Sequence, residues 1–426
     1  MADRQRTRRT RRVSLAMRAG RKKKKLKYNF FYPNYFSQKT ILRLTMGIVF
    51  GVGLLILSPK INQTPVEYVN TGDWNAAAQK EAVEKITHLQ TPESVKAIYM
   101  TSWVAGTSDW RSHLIEFIEK SELNAVVVDV KDYTGRIAFE VSDPALAAVG
   151  SQEKRISDIK EFIGNLHEKN IYAIARISVF QDLFLAKKRP DLAVKTKTGA
   201  IWKDYKGIAW LDPCSREVWD YTVQIAREAE RAGFDELNFD YIRFPSDGNM
   251  KNIAYDFCDF KYKDPPSGKI PEDGPMGKAE QLENFFKYLS DNLKDINRPL
   301  SADLFGMVTV NTDDLNIGQV LEKAAPYFDY LAPMVYPSHY PAGFNNYKNP
   351  AAHPYEIVYQ AMTEASRRLI AASSTPQKLR PWIQDFDLGA VYTAEMVNLQ
   401  KKAIYDAGLS GWMVWDAGNK YTKEAY

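Results

Sequence analysis

Cysteine is nearly absent from this chain, with only Cys214 and Cys258 among 426 residues. Two thiols are too few for a disulfide framework and lack the paired spacing of a zinc site. They are read as ordinary buried thiols, with a bridge between them as the alternative. Histidine is also scarce. His88, His113, His167, His339 and His353 form no HxH or HExxH pattern, so a barrel metallohydrolase is not expected and no metal is assigned. There is no phosphate-binding GxxxxGK followed by Ser or Thr; the nearest fragment, Gly274 to Ala279, lacks the first glycine and the hydroxyl after lysine. A GxSxG nucleophile elbow is missing too. No cofactor is expected, and beyond the N-terminal tail there is no low-complexity run and no internal repeat.

Acidic residues are missing from the start of the chain. The residues before Leu44 hold fifteen of the 57 Lys and Arg against the single acid Asp3, leaving 42 basic and 51 acidic residues for the remainder. A folded part with that balance is a poor candidate for gripping a nucleic-acid backbone, which needs a basic surface. The tail itself could bind nucleic acid or anionic lipid, although topology signalling explains its charges without either. Residues 1–40 are therefore read as a basic, disordered cytoplasmic tail. Residues 41–58, ILRLTMGIVFGVGLLILS, are apolar apart from Arg43, Thr45 and Ser58. A span needs about 20 residues, so this run suffices if Arg43 reaches the headgroups. It is read as a single transmembrane helix, with no small-x-small cleavage site after it. Positive charge on its N-terminal side keeps the tail cytoplasmic and puts everything beyond Pro59 outside the cell membrane. Residues 59–95 read as a polar spacer.

From residue 96 to 426 the pattern becomes regular. Eight short apolar runs, AIYMTSW, NAVVVDVKD, IYAIARISVF, ELNFDYIRF, PLSADLFGM, YLAPMVYP, RPWIQDF and GWMVWDAG, alternate with amphipathic stretches. Strands separated by helices imply parallel pairing with right-handed crossovers, and eight such units close into a barrel. The fold class is α/β, a (β/α)8 TIM barrel preceded by a single N-terminal transmembrane helix. An open doubly wound sheet is disfavoured because WVAGTSD, after the first strand, carries no glycine-rich phosphate turn. Asp158 and Ser215 can cap helix starts, and Gly233 and Gly408 sit where helices should end. Three long loops, 181–213, 246–278 and 338–354, fall on one rim, where long loops are often functional.

The stretch GFDELNFDYIRFPSD, from Gly233 to Asp247, stands out. Alternation puts Leu237, Phe239 and Tyr241 on one side of a strand and Asn238, Asp240 and Ile242 on the other. Asp240 then sits near the C-terminal end of a buried parallel strand, where barrel active sites lie. A structural Asp240–Arg243 ion pair is the competing reading. At the other strand ends stand Trp103, Asp129 with Lys131, Arg176, Asp303, Tyr336, Gln384 with Asp385, and Trp415 with Asp416. Carboxylates, arginines and aromatics around one cleft suit a polysaccharide or oligosaccharide. Asp129, Lys131, Arg176, Tyr241, Arg243, Tyr336, Gln384, Asp385, Asp416, Trp103 and Trp415 are the candidates for holding it. Glycoside hydrolysis needs two carboxyl groups, one protonated and one ionised. Asp240, close to Arg243, is expected to have the lower pKa, and Asp303 to be the acid.

The runs AWLDPCSREVWDY, GFDELNFDYIRFPSDG, SADLFG, APMVYPSHY, RPWIQDF and GWMVWDAGNKYT together resemble the bacterial "putative glycosyl hydrolase domain" family, over about Lys96 to Tyr426. The resemblance implies a glycoside-hydrolase barrel, often anchored outside bacterial membranes. In related barrel glycosidases the strand-four aspartate is often the nucleophile, which falls on Asp240. Their partner acid is often a glutamate after strand five, where this chain has the shorter Asp303, with Asp385 in reserve. The expected function is a membrane-anchored extracytoplasmic glycoside hydrolase acting on a cell-surface or cell-wall polysaccharide. The alternative is a non-catalytic glycan-binding or wall-scaffold protein on a barrel of the same kind.

Overall fold

The barrel strands are short, largely apolar runs because both of their faces are covered. In the computed structural model, which describes residues 87–258 and 277–426, all seven residues of AVVVDVK in the second strand are buried. That continuous burial is the signature of a parallel sheet wrapped by helices. The barrel strands are β1 (Lys96–Met100), β2 (Ala125–Lys131), β3 (Tyr172–Ser178), β4 (Glu236–Asp240), β5 (Leu300–Phe305), β6 (Tyr330–Met334), β7 (Trp382–Gln384) and β8 (Trp412–Trp415). Each pairs with the next, and β8 returns to β1 with Lys96 opposite Trp412, closing the ring. The crossover helices are α1 (Ser108–Glu119), α2 (Ile159–Glu168), α3 (Arg216–Ala232), α4 (Lys278–Leu293), α5 (Leu321–Ala324), α6 (Pro354–Ala371) and α7 (Ala394–Asp406). The expected TIM barrel is therefore present, strand for strand.

Two cores follow from the pleat. Inward residues Ala97, Tyr99, Ala125, Val127, Tyr172, Ile174, Ala332, Trp382 and Met413 fill the barrel. Outward residues such as Val126, Val128, Leu237, Phe239 and Leu304 meet the helices in a larger layer. Helix α3 shows how a helix docks on that layer: Val218, Thr222, Ile225, Ala226 and Ala229 recur at the three-to-four spacing of one buried face. It stops at Gly233, whose φ of 107° is open to glycine at little cost.

The floor carries a buried ion pair. Arg380 Nη1 donates at 2.9 Å to both oxygens of Glu236, whose side chain is fully buried. Stranding one charge of such a pair costs about 3–5 kcal/mol. Residues 87–95, the end of the expected spacer, pack beneath this floor. The Leu89 N–H donates to Asp235 at 2.8 Å, Thr91 meets the Tyr172 hydroxyl at 3.0 Å, and Val95 joins the inner core.

Several local expectations need correction. Cys214 and Cys258 form a disulfide with Cα atoms 5.1 Å apart, rather than two separate thiols. The loop after β4 folds back onto the start of α3, where the Phe257 N–H donates to Asp212, and chain spacing carries no sign of that return. Asp158 and Ser215 occupy cap positions without capping through their side chains; Asp158 instead takes Arg111 in a two-pronged pair at 3.0 and 2.7 Å. Segment 181–213 is far from structureless. It holds the helix Leu183–Lys188 and a strand Lys195–Thr196 paired antiparallel with Ile253–Ala254, which knits the loops after β3 and β4 together. The basic tail, the transmembrane segment 41–58 and the spacer up to residue 86 lie outside the described residues. Among the described residues, no helix is long and apolar enough to cross a membrane.

Candidate functional site

Register decides which side chains meet inside the barrel. Asp129 lies opposite Arg176, Arg176 opposite Asn238, and Phe239 opposite Ala302, so that Asp240 and Asp303 fall side by side one residue further up. Asp129, Arg176, Asn238, Asp240 and Asp303 point inward near the C-terminal ends of their strands. Arg176 is the common partner. Its Nε donates to Asp240 Oδ2 at 3.1 Å, its Nη2 donates to the same oxygen, and its Nη1 donates to Asp129 Oδ1 at 2.5 Å. Asp303 Oδ2 lies 3.8 Å from Arg176 Nε. The two Oδ2 atoms of Asp240 and Asp303 are thus no further apart than the sum of their distances to that nitrogen.

Each carboxyl has a different environment. Asp240 Oδ1 accepts the Tyr241 N–H at 2.5 Å, because the strand ends at Asp240 and Tyr241 turns away with a φ of 52°. Tyr241 therefore does not continue the alternation expected for it, and its ring meets Trp210 edge-on at 5.8 Å. Asp303 Oδ1 accepts from Asn238 Nδ2 at 2.9 Å and Trp382 Nε1 at 2.7 Å, while no hydrogen bond to its Oδ2 is made among the described residues. Burial, and then the charge of Asp240, push the Asp303 carboxyl well above the usual carboxylate range. Asp129 is also raised, by burial first, although Arg176 opposes it and the Tyr99 hydroxyl donates to its Oδ2. Arg176 resists the same burial because Asp240 and Asp129 hold its charge.

Aromatic rings complete the chamber. Trp415 stacks on Tyr99 at 3.9 Å and lies 4.9 Å from the Arg176 guanidinium, with Trp382 edge-on at 5.6 Å. Tyr336 is buried, and its phenol is raised by that burial and then by Asp303 and Asp240. The structure thus gathers Asp129, Arg176, Asp240, Asp303, Tyr336 and Trp415.

Arg243 does not pair with Asp240, contrary to the sequence expectation. It bonds the Phe244 carbonyl and Ser246 Oγ, both at 3.1 Å, and stacks over Trp210; the partner of Asp240 is Arg176. Lys131 turns outward at a register shift after Asp129, where its ammonium meets Asp182 at 2.8 Å and the Ser178 carbonyl at 2.5 Å. Gln384 is tied to neighbouring backbone, accepting from Ser338 N–H at 3.2 Å and donating to the Phe386 carbonyl at 2.8 Å. Asp385 holds the C-terminal segment, accepting from Thr422 N–H at 2.8 Å, Thr422 Oγ1 at 2.7 Å and the Tyr426 hydroxyl at 2.9 Å. Asp416 accepts the Lys420 N–H within a turn at 3.0 Å. Trp103 stands exposed on the rim. Tyr99 was not among the sequence candidates, because KAIYM reads as a plain apolar strand; only its inward position gives it a role.

The family described as "putative glycosyl hydrolase domain" matches residues 97–421. Among solved structures, a hypothetical protein from Ruminiclostridium thermocellum is 31% identical over 52% of this chain and 98% of that one, with a TM-score of 0.42. The PgaB (BpsB) glycoside hydrolase domain from Bordetella bronchiseptica is 13% identical over 76% of this chain and 94% of that one, with a TM-score of 0.54. The alpha-L-fucosidase isoenzyme 2 from Paenibacillus thiaminolyticus is 11% identical over 78% of this chain and 48% of that one, with a TM-score of 0.51. The last two show the fold alone. No curated protein matches the chain.

The raised Asp303 carboxyl makes stability depend on pH in a definite direction. Above about pH 4 an unfolded aspartate is ionised, while folded Asp303 still holds its proton, so folding becomes costlier as pH rises. Asp303→Asn keeps an acceptor for Asn238 and Trp382 and removes that cost. Denaturant midpoints measured from pH 3 to 8 should show the variant gaining on the parent as pH rises, with the gain gone below about pH 4. A gap that is flat, or that shrinks with rising pH, would contradict the assignment.

Proposed function

The chain belongs to the "putative glycosyl hydrolase domain" family, and we propose that its barrel hydrolyses a cell-surface or cell-wall polysaccharide with Asp303 as general acid and Asp240 as the ionised partner. The observation that carries the reading is the pair of unlike carboxyls in one layer at the C-terminal mouth. Asp240 receives three hydrogen bonds, two from Arg176 and one from Tyr241. Asp303 sits raised beside it with Oδ2 uncommitted. The Asp303 Oδ2–H delivers its proton to the glycosidic oxygen as that C–O bond breaks. Asp240 then bonds to the anomeric carbon, giving a glycosyl ester that a water deprotonated by Asp303 breaks by attack at that carbon, or it takes a proton from a water whose oxygen bonds directly to that carbon. The distance bound through Arg176 Nε, 3.1 and 3.8 Å on its two sides, admits the roughly 5–5.5 Å of retaining enzymes. It reaches only the lower edge of the roughly 6.5–9.5 Å of inverting ones. Arg176, Tyr336, Trp415 and Asp129 line the chamber and would hold the sugar ring.

The burial of both carboxyls, at 4% exposure for Asp240 and 1% for Asp303, favours a second reading. In it the chamber is a structural plug and the barrel binds glycan without cleaving it. Turnover separates the two. The protein incubated with bacterial wall glycans should release reducing ends, Asp240→Asn should lose about 10³-fold or more, and kcat/KM should fall as pH rises through the Asp303 pKa. Folded Asp240→Asn cleaving as well as the parent would remove the hydrolase assignment. Glycan retention without any release would establish the binding reading.

The same proposal puts the barrel outside the membrane, anchored through residues 41–58 with the basic tail inside. The sequence pattern motivates this, and the Cys214–Cys258 disulfide supports it, because such bonds persist in oxidising compartments. Alkaline phosphatase fused after Tyr426 should be active in intact cells and inactive when 41–58 is deleted. An inactive full-length fusion would reverse the topology.

A further inference from the structure

The rim beside the chamber holds an arrangement that catalysis as described does not use. Arg155 lies in the connection between β2 and α2, and its side chain is only 3% exposed. Its guanidinium draws two other loops together. Nη1 donates to Ser102 Oγ at 3.0 Å, in the loop after β1, and to Asp132 Oδ2 at 2.6 Å, in the loop after β2. Nη2 donates to Thr134 Oγ1 at 3.1 Å, and Nε donates to Glu153 at 2.8 Å. With its polar edge occupied, the flat face of the guanidinium lies 4.5 Å from the ring of Trp103.

The consequence is one fixed indole and one tyrosine on a fixed loop, both open to solvent. Trp103 is 59% exposed and Tyr133 is 50% exposed. Trp103 rests on Arg155 with its other face in solvent. Tyr133 sits between Asp132 and Thr134, the two residues that bind the same guanidinium, and its carbonyl accepts the Leu183 N–H at 3.2 Å. The backbone is shaped for this contact as well. A Cβ at Gly106 would lie 2.0 Å from the Arg155 carbonyl oxygen, so only glycine lets the loop after β1 approach. The cluster adjoins the chamber, since the charge of Asp132 contributes to the raised carboxyl of Asp129, after burial.

A lone exposed aromatic needs no explanation. Here a buried guanidinium with four hydrogen-bond partners fixes one indole and the loop that carries a tyrosine, both just past the strand ends that form the mouth. A rigid aromatic face binds at low conformational cost and matches the apolar C–H face of a sugar ring. We propose that Trp103 and Tyr133, clamped by Arg155, form a second glycan-binding platform outside the chamber, making a polymer rather than a short oligosaccharide the ligand of this protein. The inference rests on the carbohydrate reading above but not on cleavage, so its test uses binding alone.

The full chain carrying Asp240→Asn is run through native gels containing hydroxyethyl cellulose, glycol chitin, xylan, laminarin or polygalacturonate. At least one polymer should retard it. Adding Trp103→Ala or Tyr133→Ala should weaken that retardation about tenfold each, while Tyr359→Ala, an exposed aromatic on α6, should leave it unchanged. Retardation that survives both platform changes, that Tyr359→Ala lowers equally, or that no polymer produces would overturn the platform. A platform that passes in a protein releasing no reducing ends would leave this inference standing and remove only the hydrolase assignment.

Discussion

A single guanidinium makes the interior of this barrel possible. Asp129, Asp240 and Asp303 converge from β2, β4 and β5 on a region that excludes water, where uncompensated carboxylates are costly. Arg176 rises from β3 between them and reaches all three. One positive charge cannot neutralise three negative ones, and burial raises the carboxyls of both Asp129 and Asp303. Arg176 binds Asp240 and Asp129 directly, while Asp303, furthest from it and beside Asp240, is pushed well above the usual range. The raised Asp303 carboxyl follows from its burial and from the charge of Asp240 beside it.

The surroundings give the two carboxyls unlike partners. Asn238 and Trp382 donate to one oxygen of Asp303, fixing its orientation. The Tyr241 N–H and Arg176 hold Asp240 as an acceptor. Trp415 covers Arg176 and is itself braced by Tyr99 and Trp382. Below, the Glu236–Arg380 pair and residues 87–95 seal the floor. Past the strand ends, the disulfide and the ribbon between Lys195–Thr196 and Ile253–Ala254 tie the segments after β3 and β4 together.

Much of this was legible in the sequence, for a physical reason. Parallel strands covered on both faces must be short, largely apolar runs; seven of the eight runs contain the whole observed strand, and the first misses only Lys96. Among the charged residues interrupting those runs, Asp129, Arg176, Asp240 and Asp303 meet in the chamber, whereas Lys131, Glu236, Arg243, Arg380 and Asp385 serve structural contacts. Pairing was not legible. Arg243 is near Asp240 in the chain, but the turn at Tyr241 carries it away, and the register that sets Arg176 beside Asp240 is a property of the closed ring. The shift that turns Lys131 outward, the capture of Asp385 by the C-terminal segment, and the Cys214–Cys258 bridge likewise depend on contacts between residues distant in sequence.

The central claim is that burial beside Asp240 raises the Asp303 carboxyl well above the usual range. Labelling aspartate Cγ with carbon-13 and following the carboxyl resonances by NMR across pH tests it most directly. The account predicts a resonance, absent in Asp303→Asn, that titrates well above the ordinary carboxylate range and moves back toward that range in Asp240→Asn. An Asp303 resonance titrating with the surface aspartates, or one indifferent to the loss of Asp240, would contradict it.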